Sequence, residues 1–295
     1  MGENQSLAER FEAHRAHLRQ VAYRMLGSLS EAEDAVQESW LRLTRAEGSE
    51  IENLGGFLTT VVARVSLDML RSRKSRREEP LPAPVPEPAP GSTPMVDPEY
   101  EAVLADSVGL ALLVVLERLA PAERLAFVLH DMFAIPFEEI APIVGRSPAA
   151  ARQLASRARR RVQGPASASS ADLARQRDVV DAFLSALRAG DIQGLLEVLD
   201  PDLVVRADAV AASGGAATEV RGAEPWAKQA LAAYRRGARS ARAALVDGAV
   251  GAVIAPRGRL FRVLTFTISA GKIVAMDVVG DPARLGQLEV AVLDR

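Results

Sequence analysis

Arginines carry most of the chemistry this chain displays. Between residues 146 and 161 lie Arg146, Arg152, Arg157, Arg159, Arg160 and Arg161, with no acid among them. At helical spacing Ala151, Leu154, Ala155, Ala158 and Val162 form an apolar stripe, which turns Ala149, Gln153, Ser156 and Arg160 outward, flanked by Arg152 and Arg157. A small, polar, cationic face of this kind suits a helix lying in a major groove between phosphates. The plainer alternative is a solvated helix that merely carries arginine; the short turn before it, the small residues at its start and the one-sided charge favour DNA. A second cationic block, Arg71, Arg73, Lys74, Arg76 and Arg77, closes an earlier helical pattern. Cations suit any helix C-terminus, yet so many charges in one turn and a half exceed that need and point to phosphate contact.

Acid–base and metal chemistry are poorly provided for. The absence of cysteine excludes disulfides and thiolate metal sites, and His14, His17 and His130 stand at no ligand spacing, so no metal or cofactor is expected. In the C-terminal part Asp208 and Asp277 are the candidates for a general acid or base. The plainer reading, which we favour, makes Asp208 a loop or strand-end cap and Asp277 a surface or salt-bridged strand residue. No histidine follows His130, so a histidine–carboxylate pair is impossible there. Trp226 and Tyr234 either line a pocket or simply pack.

The helices that must position the arginines follow from periodicity. Phe137, Ile140, Ala141 and Val144 mark one helix; Gly145 suits its left-handed end, Ser147 caps the next helix and Pro148 fits its first turn, which makes a helix-turn-helix. Earlier, Phe11, Leu18, Val21, Ala22 and Met25 trace a helix closed by Gly27. Ser30 and Glu33 then suggest a capping box for a helix whose inner face is Ala32, Ala35, Val36, Ser39, Trp40 and Leu43. Its outer face, with Glu31, Glu33, Asp34, Gln37, Glu38 and Arg42, is mostly acidic, which serves solubility or a basic protein partner equally well. A third helix is expected over 54–73, a proline-rich linker over 79–98, helices over 99–163 that buttress the helix-turn-helix, and a flexible linker over 164–171.

From 172 the pattern changes. Two helices, closed by Gly190 and reaching Leu199, precede strands near 203–206, 243–246, 251–254, 260–268 and 272–279, with a hairpin at Ser269-Ala270-Gly271. This predicts an α+β domain with helices on one antiparallel, curved sheet, so the chain as a whole is multidomain, two all-α modules followed by an α+β one. The 295 residues, 48% apolar, support such cores, and the net charge of -2 hides the local basic blocks. No apolar signal region opens the chain and no apolar run is long enough for a bilayer, so a cytoplasmic protein without membrane association is expected.

AEDAVQESWLRL (32–43) resembles the core-binding helix of region two of the sigma-seventy family, specifically the extracytoplasmic-function sigma factors. FLTTVVARVSLDMLRSRKSRRE (57–78) is similar to their promoter-melting segment, and ERLAPAERLAFVLHDMFAIPFEEIAPIVGRSPAAARQLASRARRRV (117–162) to region four. The resemblance implies region two at 1–78 and region four at 99–163. It sets Asp34, Gln37 and Glu38 against the beta-prime clamp helices of RNA polymerase core, and Arg152, Gln153 and Arg157 on the upstream promoter element. Residues 172–295 look like a SnoaL-like cone, the fold of polyketide cyclases and ketosteroid isomerases, a fusion that defines a subgroup of these sigma factors. In that subgroup a Trp-Leu-Pro-Glu-Pro linker motif has its counterpart here at Pro84-Val85-Pro86-Glu87-Pro88, with the tryptophan missing. An Asp-Gly-Gly-Gly-Lys segment is represented by Asp208, Gly214 and Gly215. An Asn-Pro-Asp-Lys-Leu tail resembles Asp281-Pro282-Ala283-Arg284-Leu285.

These parallels imply regulatory contacts at Pro86, Glu87, Pro88, Asp208, Asp281, Pro282, Arg284 and Leu285. The reading is a promoter-specificity factor that is not an enzyme, controlled in cis by its own C-terminal domain, whose small-molecule ligand is left open. Its rival is a bifunctional protein whose cone transforms a polyketide- or steroid-like molecule. A one-component repressor with a ligand domain is a third reading, which has no use for a polymerase-binding helix.

Overall fold

The computed structural model describes residues 2–45, 51, 53–75, 109–164, 170–212, 215–236, 241–256 and 259–293. The 79–98 linker with Pro86, Glu87 and Pro88, the cations Arg76 and Arg77, Gly214, residues 99–108 and residues 165–169 lie outside the described residues. By contacts the chain divides into two compact units. One holds the helices before residue 76 together with 116–159; the other holds 109–115 and the chain from Arg160 onward.

In the first unit, α1 (Gly2–Leu26) buries Phe11, Leu18, Val21, Ala22 and Met25 and stops at Gly27, whose φ of 74° only glycine adopts cheaply. The next helix, α2 (Leu29–Arg45), begins earlier than the capping-box pattern predicts. The Ser28 carbonyl already accepts the Ala32 N–H at 3.0 Å, so Ser30 lies inside the first turn, and Glu33 turns to Arg15 and Arg19 of α1. A carboxylate with two arginines in reach makes charge-assisted bonds there instead of folding back on a backbone N–H.

Asn53 starts α3 (Leu54–Ser75), its Oδ1 accepting the Gly56 N–H at 2.9 Å. Leu58, Val62, Ser66 and Leu70 of this helix are buried, and the Ser66 hydroxyl donates to the Val62 carbonyl at 2.8 Å. After α4 (Leu110–Arg118), Pro121 opens α5 (Pro121–Phe127), which widens into a π-helical turn over Val128–Met132. His130 Nδ1 lies 3.0 Å from the Ile135 carbonyl and its ring stacks on Phe137 at 3.9 Å, which ties that turn to the helix after it.

The two helices of the helix-turn-helix, α6 (Phe137–Val144) and α7 (Pro148–Gln163), are joined as expected. Gly145 has φ 68°, the Arg146 N–H donates to the Ala141 carbonyl at 3.0 Å, and Ser147 Oγ accepts the Ala150 N–H at 3.3 Å.

The second unit is α+β. Helices α8 (Ser170–Ala189) and α9 (Ile192–Val198), the latter capped by Asp191, lead into β1 (Leu199–Ala207) and β2 (Thr218–Arg221). Then come α10 (Ala223–Arg236), the strands β3 (Ala241–Val246), β4 (Ala249–Ile254), β5 (Arg262–Ser269) and β6 (Lys272–Val279), a short α11 (Pro282–Gln287) and β7 (Val290–Ala291). Strand order is β2-β1-β6-β5-β4-β3-β7. The sheet is mixed, not antiparallel as expected: β1 runs parallel to β6, Val205 opposite Met276. Alternating side chains report strands but not their direction, and β1 and β6 are joined by a long connection that includes α10, as a parallel pair requires. Phe183 is fully buried at the core, its ring 5.8 Å from Trp226 and 5.5 Å from Phe266, consistent with a filled cone.

Candidate nucleic-acid interface

The outward face of α7 is the one the spacing predicts. Ala151, Ala155 and Ala158 are buried, while Ser147, Ala149, Arg152, Gln153, Ser156, Arg157 and Arg160 are exposed. Its arginines do not all face outward freely. Arg157 Nε donates to Glu123 at 2.8 Å, and Glu123 is only 6% exposed; Arg159 pairs with Asp131 of the π turn. Arg152 stands over the Phe137 ring at 5.2 Å, a cation–π contact that holds its guanidinium near the helix start. Glu123 of α5 and Asp131 of the π turn thus anchor α7 to the helix before α6, a role that sequence reading missed. An acid in the first turn of a helix reads as a dipole partner, and nothing in the spacing pairs it with an arginine so far along the chain.

The end of α3 is the second cationic surface. Arg71 is exposed and lies 3.9 Å from Asp68, while Arg73 is half-buried and ion-paired to Glu31 of α2. Lys74 is on the last turn of the same helix. On α2, Asp34 and Gln37 are exposed and Glu38 is half-buried with its carboxylate 2.9 Å from Arg42 Nε. Leu41, one turn beyond Gln37, is 40% exposed, unusual for a large apolar residue. Trp40 packs as expected, its ring 5.0 Å from that of Phe11, and borders a groove of about 290 Å³ shared with Glu33, Val36 and Gln37.

In the second unit Asp208 gathers the tail. Its Oδ1 accepts the Ala211 N–H at 2.8 Å, and its Oδ2 accepts the N–H groups of Gly280 at 2.9 Å and Asp281 at 3.0 Å, with Arg284 3.5 Å away. Burial alone would raise this carboxyl, but the backbone donors of Asp281, Ala211 and Gly280, joined by the Arg284 charge, hold it below the usual carboxylate range. A proton acceptor so occupied is a poor general base, which bears out the capping reading. Asp281 in turn caps α11 through the Arg284 N–H at 2.9 Å; Leu285 is buried, while Pro282 and Arg284 are exposed.

Further on, Asp247 Oδ1 accepts the Glu289 N–H at 2.7 Å and the Val292 N–H donates to the Val162 carbonyl at 2.8 Å, so the tail strand reaches the end of α7. Asp277 is half-buried mid-sheet, opposite Arg206 of β1 and Thr265 of β5. Among the described residues no cluster of His, Asp and Glu fits a metal ion, and no helix is long and apolar enough to cross a membrane.

Residues 10–76 match the family model Sigma-70 region 2, and residues 109–162 match Sigma-70, region 4. The probable ECF RNA polymerase sigma factor SigI of Mycobacterium tuberculosis is 37% identical over 98% of both chains. The ECF RNA polymerase sigma factor SigJ of the same organism is 39% identical over 92% of this chain and 91% of its own. The crystal structure of that SigJ covers 95% of this chain and 98% of its own at 34% identity, with a TM-score of 0.46. A chain related end to end to two such proteins, with both helical modules matched in order, belongs to the extracytoplasmic-function family of RNA polymerase sigma factors.

Proposed function

We propose that this chain is a promoter-specificity subunit that engages RNA polymerase core through the Asp34, Gln37 and Glu38 face of α2 and promoter DNA through α7. The observation that carries the reading is the outward face of α7, where Arg152, Gln153, Ser156 and Arg160 are exposed on a helix fixed by the turn at Gly145. Arg152 and Arg160 supply phosphate contacts, and Gln153, with two donors and an acceptor at its tip, is the group that reads a base edge. Arg71, Arg73, Lys74, Arg76 and Arg77 serve DNA from region two, and Arg73 exchanges Glu31 for phosphate when it does so. Run-off transcription with core polymerase tests the reading: the protein confers a defined start site, and relaxed promoter discrimination with Gln153→Ala but not with Ala13→Ser assigns base reading to α7. No start-site selection by the intact chain overturns it.

Control in cis rests on the tail. Asp208, Asp281 and Leu285 stabilise the C-terminal domain's own fold, so the tail acts from a fixed support, and the Val292 bond to Val162 gives it a hold on the end of the recognition helix. Contact between this domain and Pro86, Glu87 and Pro88 is the second part of the proposal. Val292→Pro removes the backbone donor that bonds to Val162. Promoter-dependent output is expected to change in either direction, and output identical to the parent at equal polymerase binding argues against tail control. The rival enzyme reading finds no support: Asp208 is occupied by backbone, and the core beside Phe183 is filled by Trp226, Phe266 and Met276.

A further inference from the structure

Two features of region four serve neither DNA nor polymerase directly: a π-helical turn where a plain helix would do, and a histidine at no ligand spacing. Val128–Met132 form the turn, and the link after it is held by backbone bonds. The Ala134 N–H donates to the His130 carbonyl at 3.0 Å and the Ile135 N–H to the Leu129 carbonyl at 2.9 Å, while Ala134 takes φ 55°, a left-handed conformation that alanine seldom adopts. His130 Nδ1 lies 3.0 Å from the Ile135 carbonyl, which fixes the imidazole where its ring stacks on Phe137 at 3.9 Å. Phe137 is the first residue of α6 and is 7% exposed, so close packing sets the orientation of its ring.

The other group over that ring is Arg152, whose guanidinium carbon is 5.2 Å from the centroid. The kind of contact matters for a side chain that must meet a phosphate. Arg157 and Arg159 of the same helix are held by the carboxylates of Glu123 and Asp131, which fix them and offset their charge. Arg152 has no carboxylate partner among the described residues. An aromatic face attracts a cation through its quadrupole and brings no counter-charge; it engages the plane of a guanidinium and leaves the N–H groups around the edge free to donate. Arg152 is therefore held in place with its charge uncompensated, on the exposed side of α7. A loose arginine gives up the freedom of its long side chain on binding, and one already ordered gives up less.

We propose that Phe137, backed by His130, is a positioning residue for promoter binding: its ring presets the Arg152 guanidinium for the phosphate that Arg152 meets when α7 enters the major groove. The inference deepens the promoter-binding reading of α7 and rests on it. Neither Phe137 nor His130 touches DNA in this role. The path runs from the π turn through the imidazole to the ring, and from the ring to the cation. π-Helical turns are rare and recur at functional sites, and this one carries the residue that backs the ring.

Fluorescence anisotropy of a labelled promoter fragment, titrated with holoenzyme reconstituted from core polymerase and the full chain, tests this. Phe137→Leu keeps an apolar side chain and removes the ring; it is expected to weaken promoter binding about two- to fivefold, as loss of an exposed cation–π contact does. Phe137→Tyr keeps the ring face and should bind as the parent does. In an Arg152→Ala background Phe137→Leu should weaken binding no further, because no guanidinium is left to place. His130→Ala removes a half-buried support and spares the ring itself, so it runs the same cycle where Phe137→Leu disturbs the fold of region four. Its effect too should vanish without Arg152, whereas a merely structural residue weakens binding equally in both backgrounds. Equal losses with and without Arg152 in both cycles, or a Phe137→Tyr variant that binds no better than Phe137→Leu, overturn the positioning role and leave the promoter reading standing. An Arg152→Ala variant that binds as tightly as the parent, at an unchanged salt slope, overturns both.

Discussion

Asp208 gives the sharpest test of how the C-terminal domain is held together. Its carboxylate accepts three backbone N–H bonds from two segments distant in sequence, 211 and 280–281, and its side chain is 11% exposed. Hydrogen bonds to a charged group contribute roughly 1.5–3 kcal/mol each. Three taken independently reach roughly 4.5–9 kcal/mol, which overstates the loss, because bonds in one network are not additive and water enters the space a truncated side chain leaves. We expect Asp208→Ala to destabilise the domain by about 2–4 kcal/mol. Asp208→Asn loses less: its oxygen keeps the pair at Gly280 and Asp281, while its amide faces the Ala211 N–H, donor against donor.

The two substitutions also differ in their pH response. The folded-state carboxyl titrates below its unfolded value of about 3.9. The stabilisation from ionised Asp208 is therefore fully present above that value and is lost as pH falls through the folded pKa. The parent should weaken in acid more steeply than Asp208→Asn, and the gap between them should close below about pH 4. Urea unfolding of the full chain followed by Trp226 fluorescence, in a Trp40→Phe background so that only the second unit reports, measures both effects. An Asp208→Ala midpoint equal to the parent's, or a parent–Asn gap that stays constant in acid, would refute the reasoning.

Other outcomes follow from the same geometry. Ala270 occupies φ 49° in the two-residue turn between β5 and β6, a conformation that costs an L-residue roughly 1–2 kcal/mol. Ala270→Gly should therefore raise the midpoint of the second unit by about 0.5–1 kcal/mol after its larger unfolded-state entropy is counted, as read by the same Trp226 signal. For DNA, Arg152→Ala and Arg160→Ala should weaken promoter binding similarly on all sequences and each reduce the salt-dependence slope by about 1. Gln153→Ala should instead relax discrimination at one base pair by roughly 1–3 kcal/mol; fluorescence anisotropy across a salt series separates the two behaviours.

Local chemistry made much of the architecture legible in advance. The turn at Gly145, the cap at Ser147 and the stops at Gly27 and Gly190 each need only a few neighbouring residues, and each is found where those residues require it. The hairpin over 269–271 is of the same kind. What escaped was decided at a distance. Glu33 looked like a capping-box partner and is claimed by two arginines of α1; β2 is a polar edge strand with no alternation to detect; the parallel pairing of β1 with β6 leaves no trace in either strand. Helix α10 is different, since Trp226, Ala227, Ala230, Leu231 and Tyr234 stand at helical spacing and the pattern was present but unread. At the site, the exposed face of α7 could be read from its stripe, whereas Glu123 and Asp131 could not, because their partners lie on other helices.

The pairing of α7 arginines with acids bears on how this module finds DNA. A row of six arginines suggests a strong, indiscriminate polyanion binder, but Arg157 and Arg159 have counter-charges on the helix beneath, and each must break an ion pair before it gains a phosphate. Fewer counterions are then released for the charge present, so isolated region four should hold DNA weakly and with a shallower salt slope than the arginine count implies. Weak binding becomes useful when the module is delivered at high local concentration beside its target. In the function proposed above, a second module fastened to polymerase through α2 supplies that delivery. The same acids pin α7 through Arg157 and Arg159, so in the proposed function what is given up in non-specific attraction is returned as a fixed placement of the helix that carries Gln153 and Ser156.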